Sequence, residues 1–258
     1  MERAHTDEMN FQRAFDFAGK VAIVTGAANG IGKVIADVFH ERGARLALFD
    51  RDPAVESVAK ALGDSAASWS FDIRDEAAVE AAVRDVAARF GRIDVLVNNA
   101  GVGGVWPAES TTREDWDLTI AINLTGPFLV TRAVAPTMLK AGYGRIVIMA
   151  SQAAVIGLDG HAAYSASKAG LLGMMRCMAI EWGGKGVTVN AISPTVVDTE
   201  MTQMFWGGEK GVRARAEIPA GRFALPHEIA MAALFLASDG AAMINGANLV
   251  IDGGFTVK

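Results

Sequence analysis

Several residue types are scarce in this chain, and each scarcity closes off a class of function. Its 258 residues include a single cysteine, Cys177. That excludes an internal disulfide and a cysteine-built metal site, and it gives no sign of an oxidising compartment. Cys177 itself is expected as a small buried side chain in an apolar helix. The four histidines have no metal-ligand spacing, so no metal is expected. Positive charge is not in excess, with 24 Lys and Arg against 29 Asp and Glu. A net charge of −5 without a basic stripe argues against a nucleic-acid partner. The longest apolar stretches are strand-length or broken by Gly and charge, so no membrane span is expected. The segment from Met1 to Phe17 lacks the apolar region of a secretory signal. The expectation is a cytoplasmic protein with an N-terminal extension at 1–18 and a single domain at 19–258. Linkers rich in Pro, Gly or Ser, repeats and low-complexity tracts are also lacking.

What the chain does have is regular alternation, and 51% hydrophobic residues to fill one large core. Short apolar runs at 21–25, 45–49, 67–71, 93–97, 145–149, 187–192 and 248–251 read as strands. Helical patterns lie between them at 31–42, 53–63, 76–90, 112–140, 162–182 and 226–237. The segment 194–222 reads as irregular. Pro127 and Pro136 fall inside the fourth helical region, and a kink is expected near Asn123 to Pro127, where proline removes a backbone donor. Strand–helix alternation with apolar strands predicts an α/β fold, a parallel sheet covered by helices on both faces with right-handed crossovers.

The turn after the first strand reads Thr25-Gly26-Ala27-Ala28-Asn29-Gly30-Ile31-Gly32. Glycines there allow a tight turn and close approach of backbone to a pyrophosphate, which the following helix N-terminus attracts. Asp50 ends the second strand, where a carboxylate would accept hydrogen bonds from an adenosine ribose and repel a 2′-phosphate. NAD is therefore expected over NADP, with Arg51 partly offsetting the repulsion. Asp72, followed by Ile73, suits an adenine edge with an apolar neighbour; it equally suits a helix cap. Asn98-Asn99-Ala100-Gly101 ends the fourth strand, at the edge where open α/β sheets bind ligands.

Tyrosine is scarce as well, with two in the chain. Tyr164 and Lys168 stand one helical turn apart, and Ser151 lies thirteen residues before the tyrosine. A nearby ammonium favours a phenolate, and proton transfer works best when the pKa lies near the working pH. The set reads as an acid/base serving an alcohol or carbonyl oxygen.

Together TGAANGIG at 25–32, Asp50, Asp72, NNAG at 98–101, Asn123 in INLTG, Ser151, YSASK at 164–168 and IDGG at 251–254 resemble the short-chain dehydrogenase/reductase family. The extended epimerase branch of that family fits less well. The resemblance implies a single-domain Rossmann fold, sheet order 3-2-1-4-5-6-7, and usually a homotetramer. It implies that Ser151 holds the substrate oxygen and Tyr164 exchanges its proton. Lys168 would lower the tyrosine pKa and hold the nicotinamide ribose, and Asn123 would position a relay water. Gly26, Asn29, Gly30, Ile31, Gly32, Asn99, Ala100 and Gly101 would line the dinucleotide with Asp50, Arg51, Asp72 and Ile73. Pro194, Val197 and Thr199 would border the nicotinamide amide, with Pro-Thr standing where many members have Pro-Gly.

The substrate expected is a small-molecule alcohol or ketone. Segments 154–168, 193–201 and IDGGFTVK resemble small polyol and diol dehydrogenases, with 3-oxoacyl carrier-protein reduction as the alternative and a catalytically silent dinucleotide sensor as a remoter one. Gln152 and His161 are candidate polar contacts, although His161 could instead be a solvated helix start. Trp106, Met204, Phe205 and Trp206 are candidates for the cleft mouth or for subunit contacts. Small residues at Ala163, Ala166 and Gly170 predict close helix packing between subunits.

Overall fold

The structure is a computed structural model, and it describes residues 14–258 apart from the side chains of Met201, Met204 and Phe205. Most of the expected extension therefore lies outside the described residues. Its last part does not: Phe17 is fully buried and meets Phe39 edge to face at 5.0 Å. The core thus extends one step before residue 19.

Seven strands form one parallel sheet in the order β3-β2-β1-β4-β5-β6-β7. They are β1 (Val21–Thr25), β2 (Arg45–Asp50), β3 (Ala66–Ser70), β4 (Val95–Asn98), β5 (Gly144–Met149), β6 (Val187–Pro194) and β7 (Asn248–Ile251). Successive side chains point to opposite faces of a strand, and here both faces are dry. Ala22, Val24, Leu46, Leu48, Val95 and Val97 join one core layer. Their neighbours Val21, Ile23, Ala47, Phe49 and Leu96 join the other. This explains the near-continuous apolar strands.

Helices α1 (Gly30–Glu41), α2 (Val55–Leu62) and α9 (Pro226–Ala237) cover the first layer. Helices α3 (Glu76–Phe90), α5 (Gly126–Ala141) and α6 (Ala162–Gly183) cover the second. The short helix α4 (Arg113–Ile120) runs into α5 through a π-helical turn at Ala121–Thr125. That turn is the expected kink. The Gly126 amide reaches five residues back to the Ala121 carbonyl, and Pro127 follows without a donor. Continuity across the kink makes 113–141 long and apolar enough to cross a membrane by composition, with mean hydropathy 1.4 over its most apolar window. The expectation of strand-length apolar stretches missed this. Fifty-six per cent of that window is buried against the rest of the fold, as in a core helix.

Three other expectations need correction. The segment 194–222 carries two helices, α7 (Glu200–Phe205) and α8 (Gly208–Glu217). α7 starts on a capping box between Thr199 and Thr202, a pairing of two threonines rather than the usual Ser/Thr with Glu/Gln. Cys177 is exposed on α6, on the side turned from the sheet. Of the small residues on α6, Ala163 is buried within its own chain, and Gly170 leaves room for Leu124 of the π turn. Only Ala166 of the three is exposed.

Candidate active site

The strand order reverses direction of growth between β1 and β4, and a ligand crevice is expected there, beyond the carboxyl ends of the strands. The glycine turn sits on this edge. Gly26 has φ +69° and Gly30 φ +54°. A Cβ on Gly32 would lie 2.0 Å from the Gly26 carbonyl oxygen, so only glycine allows α1 to start this close to β1. Asn29 is the N-cap of α1 but gives no side-chain cap, and the first turn holds no acidic residue. The helix therefore presents uncapped amides and a positive dipole end, the arrangement that receives phosphate.

Asp50 folds over this turn. One carboxylate oxygen accepts from the Ala28 amide at 2.9 Å and the other from the Asp52 amide at 2.9 Å. Arg51 beside it is exposed. The Asp72 carboxylate is gripped by Arg74 through the backbone amide, Nε and Nη2 at 2.6–3.0 Å. This guanidinium holds Asp72 below the ordinary carboxylate range. The cap of α3 is Asp75, which accepts from Ala78, and not Asp72. Ile73 is buried and packs on Gly126, where an added Cβ would meet it at 2.6 Å.

The NNAG loop is stitched to the glycine turn. Thr25 Oγ1 accepts from the Asn99 and Ala100 amides at 3.0 Å, and Asn99 Nδ2 donates to the Thr25 and Gly26 carbonyls. Gly101 closes the join to the catalytic side. A Cβ there would lie 3.2 Å from Asn123 Oδ1 and 3.5 Å from Lys168 Nζ.

Asn123 is fully buried in the π turn. It pairs with both backbone groups of Val102, accepting at 2.8 Å and donating at 2.9 Å, and donates to Ser167 Oγ at 3.2 Å. Ser167 in turn donates to the Tyr164 carbonyl at 2.7 Å. Val102 and Ser167 escaped the sequence reading. Ser167 carried a signal, since a serine three residues past Tyr164 returns to the same helix face.

Lys168 Nζ donates to the Met149 carbonyl at 2.8 Å and lies 5.7 Å from the centroid of the Tyr164 ring. Among the described residues no carboxylate answers its charge, and burial lowers its pKa to about 8. Burial pushes the Tyr164 phenol up, while the nearby Ser151 hydroxyl pulls it back down. The lowering expected from Lys168 is not found: burial sets the direction, and the opposing pull comes from Ser151. Ser151 caps a short 3₁₀ turn, accepting from the Ala153 amide at 3.1 Å. Next to it Gln152 is buried, and its Oε1 has no partner.

Pro194 pairs with Ile251 at the end of β6, and Val197 is buried and bridges to Ala224. A Cβ on Gly30 would lie 3.9 Å from Thr199, which brings this segment up to the glycine turn. No non-glycine residue among those described has positive φ, so Thr195 fits its position without left-handed strain. Trp106 lies over the Gly104 backbone, where a Cβ would come within 1.8 Å of its ring, and its amide donates to the Gly160 carbonyl at 2.8 Å. His161 borders Tyr164, with ring centroids 6.1 Å apart. The Phe205 side chain lies outside what the structure describes.

An edge shaped to receive a phosphate thus meets a largely buried group of Ser151, Tyr164, Lys168 and Asn123. Comparison with known proteins agrees with that class. The family model described as "Enoyl-(Acyl carrier protein) reductase" matches residues 26–256. The D-threitol dehydrogenase of Mycolicibacterium smegmatis is 56% identical over 250 residues, covering 95% of this chain and 96% of that protein. The NAD-dependent glycerol dehydrogenase of Listeria innocua is 45% identical over 249 residues, covering 96% and 98%. A solved structure from Beutenbergia cavernae, described as NAD(P)-dependent and carrying NADP at low occupancy, matches with TM-score 0.90. It is 38% identical and covers 95% of this chain and 100% of that one. The chain belongs to the short-chain dehydrogenase/reductase family. It is an oxidoreductase whose close relatives include polyol dehydrogenases.

Proposed function

We propose that the protein oxidises a secondary alcohol of a small polyol or diol, using NAD. The observation that carries this reading is the convergence of Ser151, Tyr164, Lys168 and Asn123 beside the uncapped start of α1. A dinucleotide held there would supply the hydride acceptor for the carbinol carbon, whose oxidation leaves a carbonyl. Everything else falls to the protein. The α1 amides and the glycine turn hold the pyrophosphate. Asp50, whose carboxylate oxygens keep acceptor capacity beyond the Ala28 and Asp52 amides, would accept from the adenosine ribose. Pro194, Val197 and Thr199 flank the nicotinamide, and Asp72 and Ile73 the adenine.

Ser151 Oγ donates to the substrate oxygen and Tyr164 takes its proton. Lys168, uncompensated by any carboxylate, holds the nicotinamide ribose and adds positive charge beside the phenolate. Asn123 keeps the π turn open for a relay water. Gln152, Trp106 and Phe205 border the substrate.

NAD is favoured because Asp50 would face a 2′-phosphate with like charge. A homotetramer is supported by exposed apolar side chains on separate elements, Ile180 on α6, Met231 and Phe235 on α9 and Leu249 on β7. Absorbance screening of NAD reduction over alditols, diols and sugars tests the reading, with NADPH-linked reduction of 3-oxoacyl thioesters alongside. Turnover of thioesters alone would replace polyol oxidation with acyl reduction. Dinucleotide binding without turnover of any of them would leave a sensor.

A further inference from the structure

Beside the catalytic group lies a cavity of about 440 Å³, between the loop at 107–109 and residues 157–165. The Ser151 and Tyr164 hydroxyls are not in its walls; His161 is, and its ring also meets the Tyr164 ring edge to face at 72°. His161 therefore borders both the Tyr164 ring and this side space. Its tautomer is fixed. Nδ1 lies 2.6 Å from the Asp159 carbonyl oxygen, which can only accept, so Nδ1 carries the proton. Nε2 of the neutral ring is then an acceptor, and it has no partner among the described residues. Ser165, one turn on, is the hydroxyl residue of the same wall, and its Oγ is buried without a partner among the described residues.

The charge of the cavity narrows the ligand further. Glu109 and Asp159 line it, and no lysine or arginine does. A carboxylate-bearing sugar acid would meet like charge there. A neutral chain of hydroxyls would find acceptors. An acyl chain would leave these polar groups unpaired, which is costly.

We infer that His161 is a specificity-determining residue: its Nε2 accepts a hydrogen bond from a second hydroxyl of a neutral polyol, whose remaining carbons extend into this cavity. The assignment rests on the dehydrogenase reading above and deepens it.

The test compares kcat/KM for a tetritol with that for a monohydric secondary alcohol, in wild type, His161→Asn and His161→Gln, each saturated with NAD. The asparagine amide can still donate to the Asp159 carbonyl but cannot reach as Nε2 does; glutamine can. The tetritol-to-monoalcohol ratio should fall about tenfold in His161→Asn, mostly through KM, and recover in part in His161→Gln. An aldonate should remain the poorest substrate throughout. A ratio that stays constant while both rates fall would make His161 a support for Tyr164 and overturn the assignment. An unchanged tetritol rate would overturn it too. If wild type oxidised neither alcohol, the dehydrogenase reading would fall first, and the assignment with it.

Discussion

The chain's two tyrosines sit at opposite ends of the sheet, each beside a lysine, and their surroundings differ in one respect. Tyr143 lies at the amino edge. Lys20 Nζ donates to its hydroxyl at 2.7 Å and to Asp239 at 2.9 Å, while the hydroxyl donates to Asp239 at 2.9 Å. Arg145 stacks on the ring at 4.4 Å. Nearby Asp94 is buried and satisfied by Arg92 and the Val21 amide. Burial pulls Lys20 down, but its hydrogen bonds to Tyr143 and then to Asp239 outweigh that and hold it above the ordinary lysine value. Lys168 has only a carbonyl and titrates near 8. Burial raises both phenols. At the amino edge the lysine and the phenol share a carboxylate, although Arg145 Nε there is buried without a partner among the described residues. At the carboxyl edge the lysine has no such carboxylate, which is what the proposed function requires of it.

The sharpest way to break this contrast is to delete each phenol hydroxyl. Tyr164→Phe should lower kcat by about a thousandfold and leave NAD affinity nearly intact. Tyr143→Phe should leave kcat within about twofold and lose about 1 kcal/mol of stability. Coupled assays and urea unfolding read both. Equal kinetic losses would erase the distinction.

Exchanging the lysines comes next. Lys168→Met should abolish turnover yet stabilise the fold by up to roughly 3 kcal/mol at pH 7, because burial depresses this pKa to about 8. The sign follows from proton binding. Between pH 8 and 10.5 the unfolded chain holds the proton more tightly, so wild-type stability rises across that window and the variant's advantage shrinks. Below 8 the penalty is present in full. Lys20→Met should instead destabilise by about 1–2 kcal/mol, since Asp239 and the Tyr143 hydroxyl each lose a charged partner and keep only one another and Arg145. Denaturation at pH 7 and 10 checks both.

Asp50→Ala gives a smaller effect. It should shift the NAD-to-NADP ratio of kcat/KM about tenfold toward NADP, measured by initial rates with each cofactor. No shift would show that Asp50 acts only as a brace for the Ala28 and Asp52 amides.

Much of the carboxyl edge was legible because its requirements are local. A glycine turn after an apolar strand, an acidic strand end and an i, i+4 Tyr–Lys pair each leave a pattern in a few adjacent residues. Features made by distant segments left none. Nothing near Asn123 announces that Val102 will pair with it, and nothing near Trp106 announces Gly160. The helices in 194–222 were missed because α7 is short and starts on paired threonines, without the acidic partner that marks a usual capping box. Cys177 misled for another reason: α6 is apolar on more than one side, so composition could not tell which face meets the sheet. The Lys20–Tyr143–Asp239 cluster spans more than two hundred residues and could emerge only from the folded chain.

Having two tyrosines makes the central claim directly measurable. Tyrosinate absorbance titrated against pH, with NAD bound, should resolve two steps. The account predicts that Tyr164 ionises first, drawn down by Lys168 and the cofactor's positive ring, in step with the rise of the oxidation rate. That step should vanish in Tyr164→Phe. A lower step that persists in Tyr164→Phe, or two phenols ionising together at strongly alkaline pH, would contradict it.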